Sequence, residues 1–415
     1  MAKQRIMPEN HWDWSIPVPL SQGWKTGNLL FVGGQISSDA KGHTIDVGDL
    51  TKQTRNCMEF IRSVLAEAGA DFSDVVKHNV YYCYDGPEED LVPFLDEIEA
   101  VRRDYFSAPG PVTTSVGVSG LAYEGLLIEI EAIAAIGVDK QPIMPAGHWN
   151  WRGGQEPYVH GWKVGDLIFV GGQISADASG ALVGAGNIKT QTANVFGNLQ
   201  SVLQAAGAGM DDLLRFNTYY RQPDVSDGAE VTAYWEDMTS VRTTFFGATG
   251  PSGTGVRVKS LPLPGAMIQV EGIAVVDPEK QRLMPEGHWD WSMPVPFSQG
   301  WKAGNVVFCG GQISSDPAGR TVGAGDIAVQ TRNVFEFMNK VLAEAGANLS
   351  DVVKFNTYYH FKGGGHDITE FWEEMTNVRL EYFPDPGPSA TAVRVEGFAF
   401  EGLLIEIEAI AVIDR

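Results

Sequence analysis

Read only for apolar and polar positions, the chain repeats one pattern three times. "NLLFVGGQIS" (28–37) is an apolar run ending near paired glycines, which predicts a buried strand followed by a turn. A helix then opens near Asp49, with equivalents near Asn187 and Asp326; each follows a glycine and is of a type that caps helix starts. It stops where Gly69, Gly207 and Gly346 suit the left-handed position after a helix. "VVKHNVYYCY" (75–84), "LLRFNTYYR" (213–221) and "VVKFNTYYH" (352–360) read as the next strand, and "FLDEIEAVRRDYF" (94–106) as a second helix. "TTSVGVSG" (113–120) and "GLLIEIEAIAAI" (125–136) are two closing strands. The predicted order is β, α, β, α, β, β, an α+β layer with both helices on one face of a sheet.

The periodicity is that of whole domains. His11, His148 and His288 are 137 and 140 residues apart, and Arg102, Arg242 and Arg379 are 140 and 137 apart. A period this long exceeds a solenoid repeat, so each copy is expected to fold as a unit, with boundaries at 1–138, 139–278 and 279–415. In the last strand the isoleucines point to one face and Glu129 and Glu131 to the other, so the second face must meet either water or a polar interface. The connectors "GVDKQPI" (137–143) and "DPEKQRL" (277–283) reach at most about 20–25 Å. Domains tethered this closely are expected to close as an intramolecular pseudo-trimer.

Composition then narrows the partners. Hydrophobic residues at 44% and charged residues at 20% describe a globular protein, and a net charge of −22 disfavours nucleic acid and acidic membrane surfaces. No apolar run approaches the roughly 20 residues of a membrane span, and "MAKQRIMPEN" lacks a signal-peptide core, so a cytoplasmic location is expected. Cys57, Cys83 and Cys309 fall at unrelated places, and no ligand spacing points to a metal or a cofactor. The expected partner is a small-molecule substrate, with further self-association of the ring left open.

"GNLLFVGGQIS", "LAEAGA…DVVK" and "LLIEIEAIAVI", in this order and spacing, resemble the RidA/YjgF/UK114 superfamily, called endoribonuclease L-PSP in older naming. The resemblance implies chorismate-mutase-like domains in trimers, with ligand clefts between neighbours and hydrolysis of enamines and imines to ketoacids and ammonia. It also implies a carboxylate-binding arginine at the start of the penultimate strand, but Thr113, Gly253 and Ala390 stand there. A family tyrosine matches Tyr158, with Leu20 and Phe297 at its counterparts. The glutamate that positions water corresponds to Glu129, Gln269 and Glu406. These departures point away from ordinary deamination of amino-acid imines.

Three further sets of residues are candidates. Arg257 and Arg394 lie four positions beyond the missing arginine, about 13 Å along the strand, where they either hold a shifted ligand or pair with Glu406 across strands; the first copy has Gly117. Asn79, Asn217 and Asn356 with Tyr81, Tyr219 and Tyr358 share a face with Lys77, Arg215 and Lys354, a row that suits either a polar ligand or a domain interface. His11, His148 and His288, in "HWDW", "HWNW" and "HWDW", are placed for acid–base work beside stacking tryptophans, or for anchoring an N-terminal arm.

The expected function is hydrolysis of a C–N bond, of deaminase or amide and ring-opening type, in a small conjugated or cyclic metabolite at interdomain clefts. Glu406 or Glu129 activates water, and Arg394 or Arg257 holds an oxyanion or carboxylate. The alternative is a non-catalytic binding or regulatory protein.

Overall fold

The computed structural model describes residues 3–14, 16–150, 157–222, 228–277, 279–361, 363 and 367–414. The first copy runs β1 (Lys3–Ile6), β2 (Gly23–Thr26), β3 (Leu29–Ile36), α1 (Leu50–Glu67), β4 (Val75–Cys83), α2 (Leu91–Arg102), β5 (Val112–Val118) and β6 (Ile128–Ala135). The second repeats this as β7 (Lys140–Ile143), β8 (Gly161–Val164), β9 (Leu167–Ile174), α3 (Ile188–Ala205), β10 (Leu213–Tyr220), α4 (Gly228–Arg242), β11 (Ser252–Arg257) and β12 (Ile268–Val275). The third comprises β13 (Lys280–Leu283), β14 (Gly300–Ala303), β15 (Val306–Ile313), α5 (Ile327–Glu344), β16 (Val352–Tyr359), α6 (Asp367–Tyr382), β17 (Ser389–Arg394) and β18 (Ile405–Val412).

Each copy is α+β, built on a six-stranded sheet ordered β1-β2-β3-β6-β4-β5 in the first, and equivalently in the others. Two short N-terminal strands per copy were not expected: the segments read as connectors carry β7 and β13, which pair antiparallel with β8 and β14. The helix ends follow the sequence. Asp49, Asn187 and Asp326 accept the backbone N–H of Lys52, Thr190 and Val329, and Gly69, Gly207 and Gly346 have φ of 74°, 80° and 76°.

Helices cover one face. Cys57, Met58, Ile61 and Val64 of α1 pack on Leu30, Val32, Ile128 and Ile130 of the sheet, and the other copies are built alike. The opposite faces of all three sheets meet one another. Phe31, Phe169 and Phe308 with Ile133, Ile273 and Ile410 form one shared apolar layer, and Val116, Val256 and Val393 belong to another with Tyr81, Tyr219 and Tyr358.

The contacts between copies are cyclic: β5 packs on β9, β11 on β15, and β17 on β3. At the strand tips, backbone bridges join Gly117 to Ser260, Arg257 to Gly397 and Arg394 to Gly120, so the free edges of β5, β11 and β17 are taken up by neighbours. No helix among the described residues is long and apolar enough to cross a membrane.

Candidate active site at the seams between repeats

The axis of the ring is polar and closed. Lys77 pairs with Glu271, Arg215 with Glu408 and Lys354 with Glu131, each bridging two copies. Thr114, Thr254 and Thr391 donate to the same three carboxylates. The hydroxyls of Tyr81, Tyr219 and Tyr358 lie within 3.1–3.5 Å of one another. Asn79, Asn217 and Asn356 donate to Glu131 and Glu271, Glu408, and Glu131 respectively. Around them is a cavity of about 30 Å³, the volume of a single water. Asn217 and Asn356 line this axial cavity, and the asparagines and tyrosines, expected as substrate-binding residues, join the three copies at the axis, apart from the seams that hold Glu129 and Glu406.

Arg257 and Arg394 are also displaced from the expected site. β16 lies between β17 and β18, so Arg394 and Glu406 are not on adjacent strands, and the expected cross-strand pair does not form. Arg394 donates instead to the carbonyl of Gly363 at 2.6 Å, and Arg257 to that of Glu396 at 2.7 Å, at the far ends of the seams. Both guanidiniums hold backbone where the copies are bridged.

The acid residues do reach the seams. Glu406 lies in the cleft between the second and third copies, where its Oε1 accepts the Gly255 N–H at 3.3 Å. Glu129 occupies the matching place between the third and first copies, accepting the Ala392 N–H at 3.4 Å. Gln269 lines the cleft between the first and second copies, and its buried Oε1 has no partner. A Cβ on Gly34, Gly172 or Gly311 would stand within 1.8–2.3 Å of these side chains, which is why glycine precedes each "QI". Burial holds the Glu406 carboxyl well above its usual range, against the Gly255 N–H, with Glu408 adding to the rise. Burial likewise raises Glu129 to about 8, against Lys354 and the Ala392 N–H.

The tryptophans of the arms wall these clefts. Trp289 and Trp291 line the Glu406 cleft, with Trp291 stacked on Trp235 of α4 at 4.7 Å and Phe297 stacked on Trp289 at 5.7 Å. In the Glu129 seam Trp14 lies 5.5 Å from Trp372. The remaining cavity beside Glu406 is about 30 Å³. The first–second cleft differs: it holds about 50 Å³, with Leu95 where the other copies have Trp235 and Trp372. Tyr158 lines it, stacked on Trp149 and donating to the Asn150 side chain at 2.9 Å. Trp151 to Glu156 of that arm lie outside the described residues.

The arm histidines stand one residue back. His11 and His288 lie against Phe60 and Phe337 at 4.6 Å, their Nε2 atoms 3.5 and 3.4 Å from the same residues' carbonyls, and burial lowers both pKa values to about 4. His148 contacts the Gln173 side chain at 2.9 Å and the His160 ring at 4.2 Å. His11 and His288, expected as catalytic residues, are both neutral and sunk against their own helix, and His288 is not among the residues lining the Glu406 cleft. His148 is likewise tied to its own copy.

Arginines that sequence reasoning used only to measure the period prove to belong to the clefts. Arg102 ends α2, chelated by Glu99 at 2.6 Å from both oxygens and donating at 2.8 Å to Thr113, one of the positions where the expected strand arginine is missing. Arg242 lines the Glu406 cleft, over the Phe216 ring at 5.4 Å. Arg379 lies over Phe355 at 4.7 Å and donates to the Pro19 carbonyl at 2.6 Å. Their threefold recurrence on a helix otherwise packed against the sheet was the available signal. Among the described residues no group of three or more His, Cys, Asp or Glu is placed to hold a metal ion.

Comparison with known proteins agrees with this architecture. One copy's length is 41% identical over 116 residues to a RutC family protein of Pyrococcus abyssi, covering 28% of this chain and 85% of that protein. The 3-aminoacrylate deaminase RutC of Acinetobacter baylyi is 33% identical over 137 residues, 32% of this chain and 97% of its own. A 2-iminobutanoate/2-iminopropanoate deaminase of Dermatophagoides farinae is 30% identical over 120 residues, 28% of this chain and 86% of its own. A crystal structure of a chorismatase superposes with a TM-score of 0.55 over 82% of this chain and 93% of that one at 16% identity, a likeness of fold. The model of the family described as Endoribonuclease L-PSP matches residues 15–136, 153–276 and 292–413, and the chain belongs to that family three times over.

Proposed function

We propose that the chain hydrolyses a C–N bond of a small conjugated metabolite, at the second–third and third–first seams, with Glu406 and Glu129 as the acid–base groups. The observation that carries the reading is a carboxyl group buried at each of these seams, 6% and 4% exposed, beside aromatic walls and a single backbone N–H. Both carboxyls hold their proton far above the usual range, which suits a group that must first give a proton near neutral pH. The likeness of each copy to imine and aminoacrylate deaminases supports the same reaction class.

In this reaction the protonated carboxyl gives its proton to the imine nitrogen, and water adds to the carbon of the resulting iminium. The carboxylate takes the proton released by that water and returns it to the amine nitrogen of the adduct. The C–N bond then breaks, ammonia leaves, and the hydroxyl becomes a carbonyl as its proton goes back to the carboxylate. Imine and water become carbonyl and ammonia, and the glutamate ends as it began.

The test is ammonia release from a panel of conjugated imino and enamino compounds by the full chain and by Glu129→Gln/Glu406→Gln. Glutamine already occupies the same niche in the second copy, so folding is preserved and turnover should fall at least 100-fold. Equal turnover in the variant, or none by the unaltered chain on any member, rejects the reading. Binding without turnover would favour a ligand-binding protein instead.

A further inference from the structure

Three arginines end three equivalent helices, but their charges are handled differently. Arg102 is neutralised by Glu99, three residues earlier, through both carboxylate oxygens. The same position carries Thr239 and Thr376 in the other copies, and neither offers a charge. Arg242 is only 8% exposed, lines the cavity that holds Glu406, and has no carboxylate or carbonyl partner among the described residues. Arg379 keeps one bond to a carbonyl, and its buried Nε has none. A buried cation without a counterion is costly, and a guanidinium is shaped to take a carboxylate through two parallel bonds.

The acid residues vary in step. The cleft whose arginine is already paired with a carboxylate is the one with Gln269 in place of glutamate, and the two clefts whose guanidinium has no carboxylate partner among the described residues are those with Glu406 and Glu129. With their carboxyls protonated, those two clefts each carry one uncompensated positive charge, and the paired cleft carries none. Trp235, Trp289, Trp291 and Phe297 make the Glu406 cleft narrow and flat-walled.

We propose that Arg242 and Arg379 anchor the carboxylate of the substrate, so that two clefts of the three take a small, planar, singly charged conjugated acid and the first–second cleft takes none. The proposal rests on the hydrolase reading for the fate of the acid but not for its binding. The cavity beside Glu406 holds about one water, so a planar acid enters by taking the place of the Trp291 ring against Trp235. That ring is held cheaply, because its indole N–H is buried without a partner.

Crotonate, a planar conjugated acid, and crotonamide, its neutral counterpart, are suitable probes for calorimetric titration of the full chain. Crotonate should bind, and Arg242→Gln/Arg379→Gln should weaken it by about 10- to 100-fold while leaving crotonamide unchanged. Glu99→Thr should free Arg102 and add crotonate density at the first–second cleft in soaked crystals, a gain that misfolding cannot imitate. Unchanged affinity in the double arginine variant, or an empty first–second cleft in Glu99→Thr, overturns the proposal. Glu129→Gln/Glu406→Gln should retain crotonate binding while losing turnover, so failure of the anchor and failure of the hydrolase reading give different results.

Discussion

Replacing Glu129 by glutamine should make the protein more stable at neutral pH, and the size of the gain follows from its carboxyl. Burial holds this group at about 8 in the folded state, against an ordinary value of 4.5. A carboxyl raised in this way contributes its full stability below pH 4.5, where both states are protonated, and loses it as pH climbs toward 8. Each pH unit in that window costs about 1.4 kcal/mol, so the cost at pH 7 is about 3 kcal/mol. Glutamine removes the cost without a change of shape, and Gln269 with Gly172 is the same arrangement built into the second copy. For 415 residues, unfolding entropy near 2 cal/mol/K per residue converts this to a Tm rise of about 4 °C. Thermal unfolding of wild type and Glu129→Gln from pH 5 to 9 measures it. The two curves should converge near pH 4.5 to 5 and separate steadily above. A constant gap, or a variant that is the less stable of the two at pH 8, would refute the argument that the carboxyl is buried with its proton. Loss of activity in the same variant would identify the cost as one borne for function.

Other perturbations test other layers. His11 and His288 have the opposite sign: their folded values near 4 lie below 6.5, so stability is full above pH 6.5 and is lost between there and pH 4; His11→Gln/His288→Gln should flatten that acid limb in denaturant titrations and change turnover less than twofold. Lys77→Met takes from the buried Glu271 its ion-pair partner, leaving only the more distant charge of Arg215, and should cost about 3–5 kcal/mol in chemical denaturation, recovered in large part by adding Glu271→Leu. Trp291→Ala empties the space against Trp235; it should cost about 2–3 kcal/mol of stability while tightening crotonate binding at that cleft, read by calorimetry.

Much of this molecule was legible because period and alternation report directly on which face a residue occupies. The three copies, the caps at Asp49, Asn187 and Asp326 and the helix-covered face all follow from local rules, whereas the carboxyls at 129 and 406 were singled out by the family resemblance. What alternation does not give is position along the seam. Tyr81 and Glu129 share a face and face each other in register between β4 and β6, yet one ends at the axis and the other at a cleft. Strand order was also invisible: β18 lies inside the sheet, so β17 and β18, consecutive in the chain, are not neighbours, and the expected pair of Arg394 with Glu406 had no geometry to form. The short strands at Lys140–Ile143 and Lys280–Leu283 escaped because four residues, mostly polar and at a sheet edge, carry no amphipathic signature. Arg242 was missed for its reach, since a side chain at the end of a helix enters a cleft that helical periodicity alone does not reveal.

Fusion into one chain explains why these differences persist. In a ring of three identical subunits, a change from glutamate to glutamine at the cleft, or a new glutamate beside the helix arginine, would alter all three clefts together. Here the first–second cleft alone has Glu99 beside its arginine, Gln269 at the place of the cleft carboxyl and Leu95 at the place of a helix tryptophan. The first of these differences pairs the arginine and the second leaves out the acid, so that the cleft holds one carboxylate and one guanidinium already joined. The cyclic Lys–Glu and Arg–Glu pairs at the axis have meanwhile kept their form in every copy, because each ties one copy to the next and none can change without its neighbour. The axis is therefore held constant by mutual dependence, whereas each cleft is made by two different stretches of one gene product and is free to diverge.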